Sequence, residues 1–208
     1  MKRFSIGLFL GLGLTFMAVP SHAILEARIH YGAGQGSPDE YNNAYFKFQD
    51  GPELEEQKVL GADLIFSPPM LKWGLGVRFE GMQENGTEFN EKVEMDITRT
   101  SILLNHRIVN TLLYFGPIVT YGVDHKFAMA IPTDPNKISS GDASSYSAGV
   151  EGGAKFGLFS LGAEVGYQSL KFNKLTESDA GPWTKNGRTI SEVDLSGMYY
   201  KILLGIGF

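Results

Sequence analysis

The chain has 208 residues, no cysteine, and 18 Lys and Arg against 23 Asp and Glu, a formal charge of −5. The missing cysteine excludes disulfides, thiolate catalysis and cysteine-based metal sites, and the acidic balance argues against nucleic acid as a partner. No apolar run beyond the leader reaches spanning length, which excludes a helical membrane protein but not a β-barrel, whose strands are apolar only at every second position.

In chain order, Lys2 and Arg3 come first, then the apolar run FSIGLFLGLGLTFMAV, then Pro20, Ser21 and Ala23. A charged start, a short apolar stretch and small residues at the cleavage positions predict a secretory signal peptide over 1–23. The run is shorter than the ~20 residues of a spanning helix. The expected mature chain, 24–208, carries a formal charge of −7 once Lys2 and Arg3 are removed, and fits one domain. No cysteine follows the cleavage point, so lipoprotein anchoring is not expected.

Period-two alternation starts at once. In LEARIHYGAG (25–34), Leu25, Ala27, Ile29, Tyr31 and Ala33 share one face, and Glu26, Arg28 and His30 share the other. The pattern returns at 58–67, 72–82, 92–104, 112–126, 145–157, 159–172 and 191–208, giving eight segments. In the fourth the phase is ambiguous around Arg99, where a bulge is expected. Connections alternate between short turns (PPML, NHRIVNT, GL) and longer polar loops at 35–57, 83–91, 127–144 and 173–190. Short turns at one end and long loops at the other predict an all-β fold, an eight-stranded antiparallel up-and-down transmembrane β-barrel over 24–208.

A soluble sandwich would also alternate, but it has no reason to sort its aromatics. Here Phe66, Trp73, Phe115, Phe156, Phe159 and Phe208 fall beside the short turns, and Tyr31, Phe79, Tyr121, Tyr146, Tyr167 and Tyr200 at the far ends of the same faces. The two sets lie six to ten residues apart, roughly 15–25 Å at ~3.3 Å per residue and ~40° tilt.

The ending YYKILLGIGF places Tyr200, Ile202, Leu204, Ile206 and Phe208 on one face. It resembles the terminal strand of outer-membrane barrel proteins, whose last aromatic belongs to the signal read by the barrel-assembly machinery. The departure is Leu203 where a glycine is usual, with Gly205 nearby. With the leader and the strand count, the chain resembles the small eight-stranded family of OmpA-barrel, OmpX and OmpW type. The resemblance implies an outer-membrane location, contact with outer-membrane lipid and lipopolysaccharide, an assembly signal at Phe208, Ile206 and Tyr200, and no peptidoglycan-binding domain after Phe208.

The opposite faces should line the barrel with Glu26, Arg28, His30, Asp63, Arg78, Glu80, Glu151, Lys155, Glu164 and Lys201, joined by Asp96 if the fourth strand keeps its starting phase. Eight strands leave room only for side chains, so we expect a salt-bridged plug. Inward glycines (Gly74, Gly76, Gly149, Gly153, Gly162 and Gly166) leave space between the charges, which keeps a narrow ion path and a porin-like oligomer as alternatives. The charged set argues against an apolar tunnel. The small lipid-facing residues Ala148, Gly152, Ala154 and Ala163 form a candidate self-association face.

No cofactor, metal or catalytic residue is expected. GAGQG at 32–36 is followed by SPDE rather than a helix, TDPNKISSGD (133–142) lacks calcium-loop spacing, and Asn85-Gly86-Thr87 reads as a turn. An outer-membrane lipid-modifying enzyme would need a nucleophile beside a histidine. His30 sits among interior charges, His106 in a short turn, and His125 could meet a serine only across strands, from 144–147. The first loop is acidic (Asp39, Glu40, Asp50, Glu53, Glu55 and Glu56 against Lys47) yet carries Tyr41, Tyr45, Phe46 and Phe48.

Overall fold

A computed structural model describes residues 25–34, 57–68, 71–88, 91–130, 137–177, 181–185 and 188–208. The predicted leader 1–23, the expected mature start at Ile24, and the acidic aromatic segment up to residue 56 lie outside them.

Eight long strands carry the fold: β1 (Leu25–Gly34), β2 (Gln57–Phe66), β3 (Trp73–Glu88), β4 (Glu91–His106), β5 (Leu113–Ala130), β6 (Asp142–Phe156), β7 (Phe159–Asn173) and β8 (Gly197–Gly207). Each pairs antiparallel with its chain neighbours. β1 then pairs with β8 from Glu26↔Gly207 to Gly34↔Tyr199, which closes the sheet and leaves the barrel no long edge. The expected all-β, eight-stranded antiparallel barrel is the observed fold.

Alternation decides which solvent each side chain meets. Outside, Ile29, Leu60, Leu75, Ile102, Val119, Val150, Val165 and Leu204 are exposed, while their chain neighbours are buried inside or partly so. Aromatics bound this apolar band as expected: Tyr31, Phe79, Tyr121, Tyr146, Tyr167 and Tyr200 above, Phe66, Trp73, Phe115, Phe156, Phe159 and Phe208 below. Eight residues separate Phe159 from Tyr167 and Tyr200 from Phe208, about 20 Å of height at ~3.3 Å per residue and ~40° tilt. Such an exterior is a sheet whose outer solvent is hydrocarbon.

Three expectations need correction. Residues 83–88 and 91 are ladder rather than loop, since β3 and β4 stay paired out to Glu88↔Glu91 and residues 85–87 lie within the ladder. The irregularity belongs to β5 rather than the fourth segment: Thr100 faces Asp124 and Ser101 faces Gly122, so Val123 is the extra residue, and Val123 and Asp124 both point outward. β4 therefore alternates without a break, which turns Arg99 inward and leaves Asp96 exposed, accepting from Gln83 Nε2 at 3.2 Å.

Above the band the longer strands β3, β4 and β5 form a tall wall. Its inner face is apolar (Met82, Met95, Ile97, Phe127 and Met129), and the connection between β7 and β8 folds onto it. Leu175, Trp183, Ile190, Val193 and Leu195 from that connection join Ile138, Leu170 and Phe172 in one buried cluster. Backbone bonds hold this cap: Trp183 N–H donates to the Leu175 carbonyl at 3.0 Å, and Leu195 N–H to the Leu170 carbonyl at 2.8 Å. The upper interior is thus largely apolar, with Glu84 among its methionines, while the predicted charged lining lies lower, at the depth of the apolar band.

Candidate functional site: the barrel interior

Two rows of charge face each other across the middle of the barrel. On one wall Arg28, Asp63 and Arg78 are direct cross-strand neighbours on β1, β2 and β3. On the other, Glu151, Glu164 and Lys201 stand side by side on β6, β7 and β8. The rows interlock. Arg28 donates through Nη2 to Asp63 at 2.8 Å and through Nη1 to Glu151 across the lumen. Arg78 holds Asp63 (Nε, 2.8 Å) and grips Glu164 with both terminal nitrogens, at 2.8 and 2.7 Å.

One step higher, Glu80 accepts from Arg99 Nε at 2.8 Å and from Lys201 Nζ at 2.5 Å. His30 lies between two carboxylates, Nδ1 3.6 Å from Asp63 and Nε2 3.3 Å from Glu80, without hydrogen-bond geometry to either. One step lower, Arg107 joins Glu26 (2.8 Å) to Glu151 (3.1 Å), and Asn105 Nδ2 donates to Glu151 at 2.7 Å. Among the described residues the central network sets Arg28, Arg78, Arg99 and Lys201 against Asp63, Glu80, Glu151 and Glu164, four charges to four. Their side chains are 0–1% exposed, and only mutual pairing makes such burial tolerable.

The predicted lining residues are thus brought together, Lys155 excepted. It stands half-buried at the lower mouth, where Nζ meets Asn110 Oδ1 at 2.5 Å instead of a carboxylate. Sequence reasoning missed Arg99, Arg107, Asn105, Tyr114 and Tyr199. Counting back from Phe208 in odd steps reaches Lys201 and then Tyr199, so that signal was present. Arg107 sits one residue beyond β4, where no strand phase applies.

The inward glycines do not open a path. A Cβ at Gly153 or Gly162 would stand 2.7 or 2.0 Å from the Tyr114 hydroxyl, and one at Gly149 or Gly166 would stand 2.8 Å from that of Tyr199. Each pair is a socket for one tyrosine. Tyr199 then donates to Glu164 at 2.8 Å. Gly74 and Gly76 are filled likewise, by Asn105 and Ile65.

The histidines left open by the sequence are placed as follows. His106 stacks on Trp73, centroids 4.2 Å apart. His125 does meet a cross-strand serine, its Nε2 lying 2.7 Å from Ser145 Oγ, and Gly122 leaves the room for that contact. Both residues are buried and Phe172 lies edge-on to the imidazole, while Asp124 points to the outside. Asp124, its neighbour in the chain, therefore does not reach the imidazole–serine pair.

On the outside, Gly152 and Ala163 are cross-strand partners, flanked by Ala148 and Ala154. The Phe115 ring approaches within 3.4 Å of a Gly152 Cβ, so this face is shallower than its composition implies. Tyr200 and Phe208 are exposed on the outer face of β8 and Ile206 is partly so.

No family model and no curated protein matches the chain. Among solved structures it is similar to the translocator domain of the autotransporter NalP from Neisseria meningitidis, with a TM-score of 0.44 and 12% identity over 98% of this chain and 95% of that one. The barrel assignment rests on the closed strand pairing.

Proposed function

We propose that the chain is an outer-membrane β-barrel protein of the small eight-stranded OmpA-barrel, OmpX and OmpW kind, exported by a cleaved leader and inserted by the barrel-assembly machinery. Its role is structural or surface-directed, with at most narrow conductance, and it is not an enzyme. Its partners are outer-membrane lipid and lipopolysaccharide, the latter beside the long loops. One observation carries this reading: the mid-barrel side chains are consumed by their own ion pairs, with 0–1% exposure. Water-filled lumens need wider barrels.

Single-channel recording in a planar bilayer tests it. The expected trace shows no openings, or small ones only. Steady conductance of porin size would overturn the reading in favour of the porin-like alternative. That alternative draws on the small-residue face, and it requires a native mass in mild detergent that is oligomeric and becomes monomeric when Gly152 and Ala163 are changed to Leu.

A further inference from the structure

Three of the chain's seven methionines meet in one place. Met82, Met95 and Met129 turn inward from β3, β4 and β5 above the ion-paired layer, each 1% exposed. The register sets them close. Met95 is the direct cross-strand partner of Met129 on one side and of Glu84 on the other, so Glu84, Met95 and Met129 form one inward row. Met82 is the inward residue of β3 just below Glu84, diagonal to Met95. Facing side chains of a sheet start about 5 Å apart and diagonal ones about 7–8 Å, within reach of long side chains.

Methionine fills irregular gaps in many cores, and three methionines alone would mean no more than that. Glu84 adds the second observation. It is 1% exposed, and neither carboxylate oxygen has a hydrogen-bond partner among the described residues. The other buried carboxylates among those residues, Glu26, Asp63, Glu80, Glu151 and Glu164, are each held by an arginine or a lysine. Arg99, the closest cation along β4, stands two inward positions lower and belongs to Glu80. A carboxylate with no counter-charge is costly in an apolar cluster and is the group a cation site needs.

The donors define the ion. Thioether sulfur is soft and neutral and suits Cu(I), whereas Mg and Ca take carboxylate, carbonyl and water oxygens. One carboxylate balances one positive charge; a divalent ion would leave net charge buried among apolar side chains. We propose that Met82, Met95, Met129 and Glu84 form a binding site for a soft monovalent cation, Cu(I) or Ag(I), beneath the cap. The site is independent of what surrounds the barrel.

The test is refolding of the chain in detergent with Ag(I), which needs no reductant, followed by desalting and metal analysis. One retained ion per chain is expected, displaced by Cu(I), and Zn(II) should not be retained. Met95→Leu and Met129→Leu nearly conserve volume and each remove one sulfur; each should weaken binding by at least about tenfold. Glu84→Gln should weaken it comparably, and Met198→Leu, on the exposed outer face of β8, should leave it unchanged. In a Trp73→Phe background, Trp183 fluorescence should fall as the ion binds, because Trp183 belongs to the same cluster. Should one leucine variant fail to fold, the other carries the test. No retained Ag(I), or equal retention in wild type and the leucine variants, would overturn the site and leave the methionines as core filling. Undiminished binding in Glu84→Gln would overturn the carboxylate's part in it.

Discussion

At the scale of single residues, two interior groups sit in opposite electrostatic situations. Arg78 is completely buried but holds two carboxylates, Asp63 and Glu164. Arg78→Met would leave Asp63 with Arg28 alone and Glu164 with the Tyr199 hydroxyl and a distant Lys201, and removing one partner of a buried pair costs about 3–5 kcal/mol. Urea unfolding in detergent should therefore shift to clearly lower concentration; an unchanged midpoint would mean that water reaches the network. Glu84 is equally hidden but has no hydrogen-bond partner for either oxygen among the described residues. It lies five residues beyond Phe79, above the apolar band and beside Met95. Burial alone pushes its carboxyl up to about 7. The folded value thus exceeds the unfolded one. The associated stability is fully present below the ordinary carboxylate range and is lost as pH rises through about 7, by up to about 3 kcal/mol. Wild type should unfold more easily at pH ~9 than at pH ~5, and Glu84→Gln should flatten that dependence. An unaltered slope in the variant would assign it to another group.

At the scale of elements, β6 and β7 carry the glycines against which Tyr114 and Tyr199 pack. A Gly162→Ala methyl would meet the Tyr114 hydroxyl at 2.0 Å and the Gly152 carbonyl at 2.7 Å. We expect a loss of about 1–3 kcal/mol, the usual cost of overpacking. Adding Tyr114→Phe should return part of it, because one of the two clashes goes with the hydroxyl. If the double variant were no more stable than Gly162→Ala, the backbone contact alone would matter.

This level also separates what was legible from what was not. The inward phase of Arg28, Asp63, Arg78 and Glu80 followed from alternation alone, and the girdles followed from the aromatics. The phase of β4 did not, because the bulge that governs it sits on the next strand, at Val123. The β7–β8 connection offers no period, so its cap became visible only when Trp183 and Val193 met Met82 and Phe127. Glycine sockets are a relation between strands, and a linear pattern records only half of each.

At the scale of the whole molecule, the interior is closed twice in series: by the ion-paired layer within the apolar band and by the apolar cap above it. The layers share no side chain, so they should fail independently. Trp183→Ala removes the largest buried side chain of the cap and should cost about 3–5 kcal/mol. It should leave conductance at the wild-type level, because the charged layer still fills the barrel. A channel opened by Trp183→Ala alone would show that the lower closure is incomplete.

The Tyr199 socket has a consequence for how the barrel reaches its final pairing. Glycine-rich strands specify their alignment weakly, since one backbone position resembles the next. A slide of two residues preserves inside and outside, so alternation does not penalise it. Tyr199, however, lies level with Gly166 and Gly149. Sliding β8 along β7 by two would set its ring against Gln168 or Glu164, where no cavity exists. Tyr199 is in effect a detent: its ring finds room at the one notch of the seventh strand that also sets the last strand's register against the first.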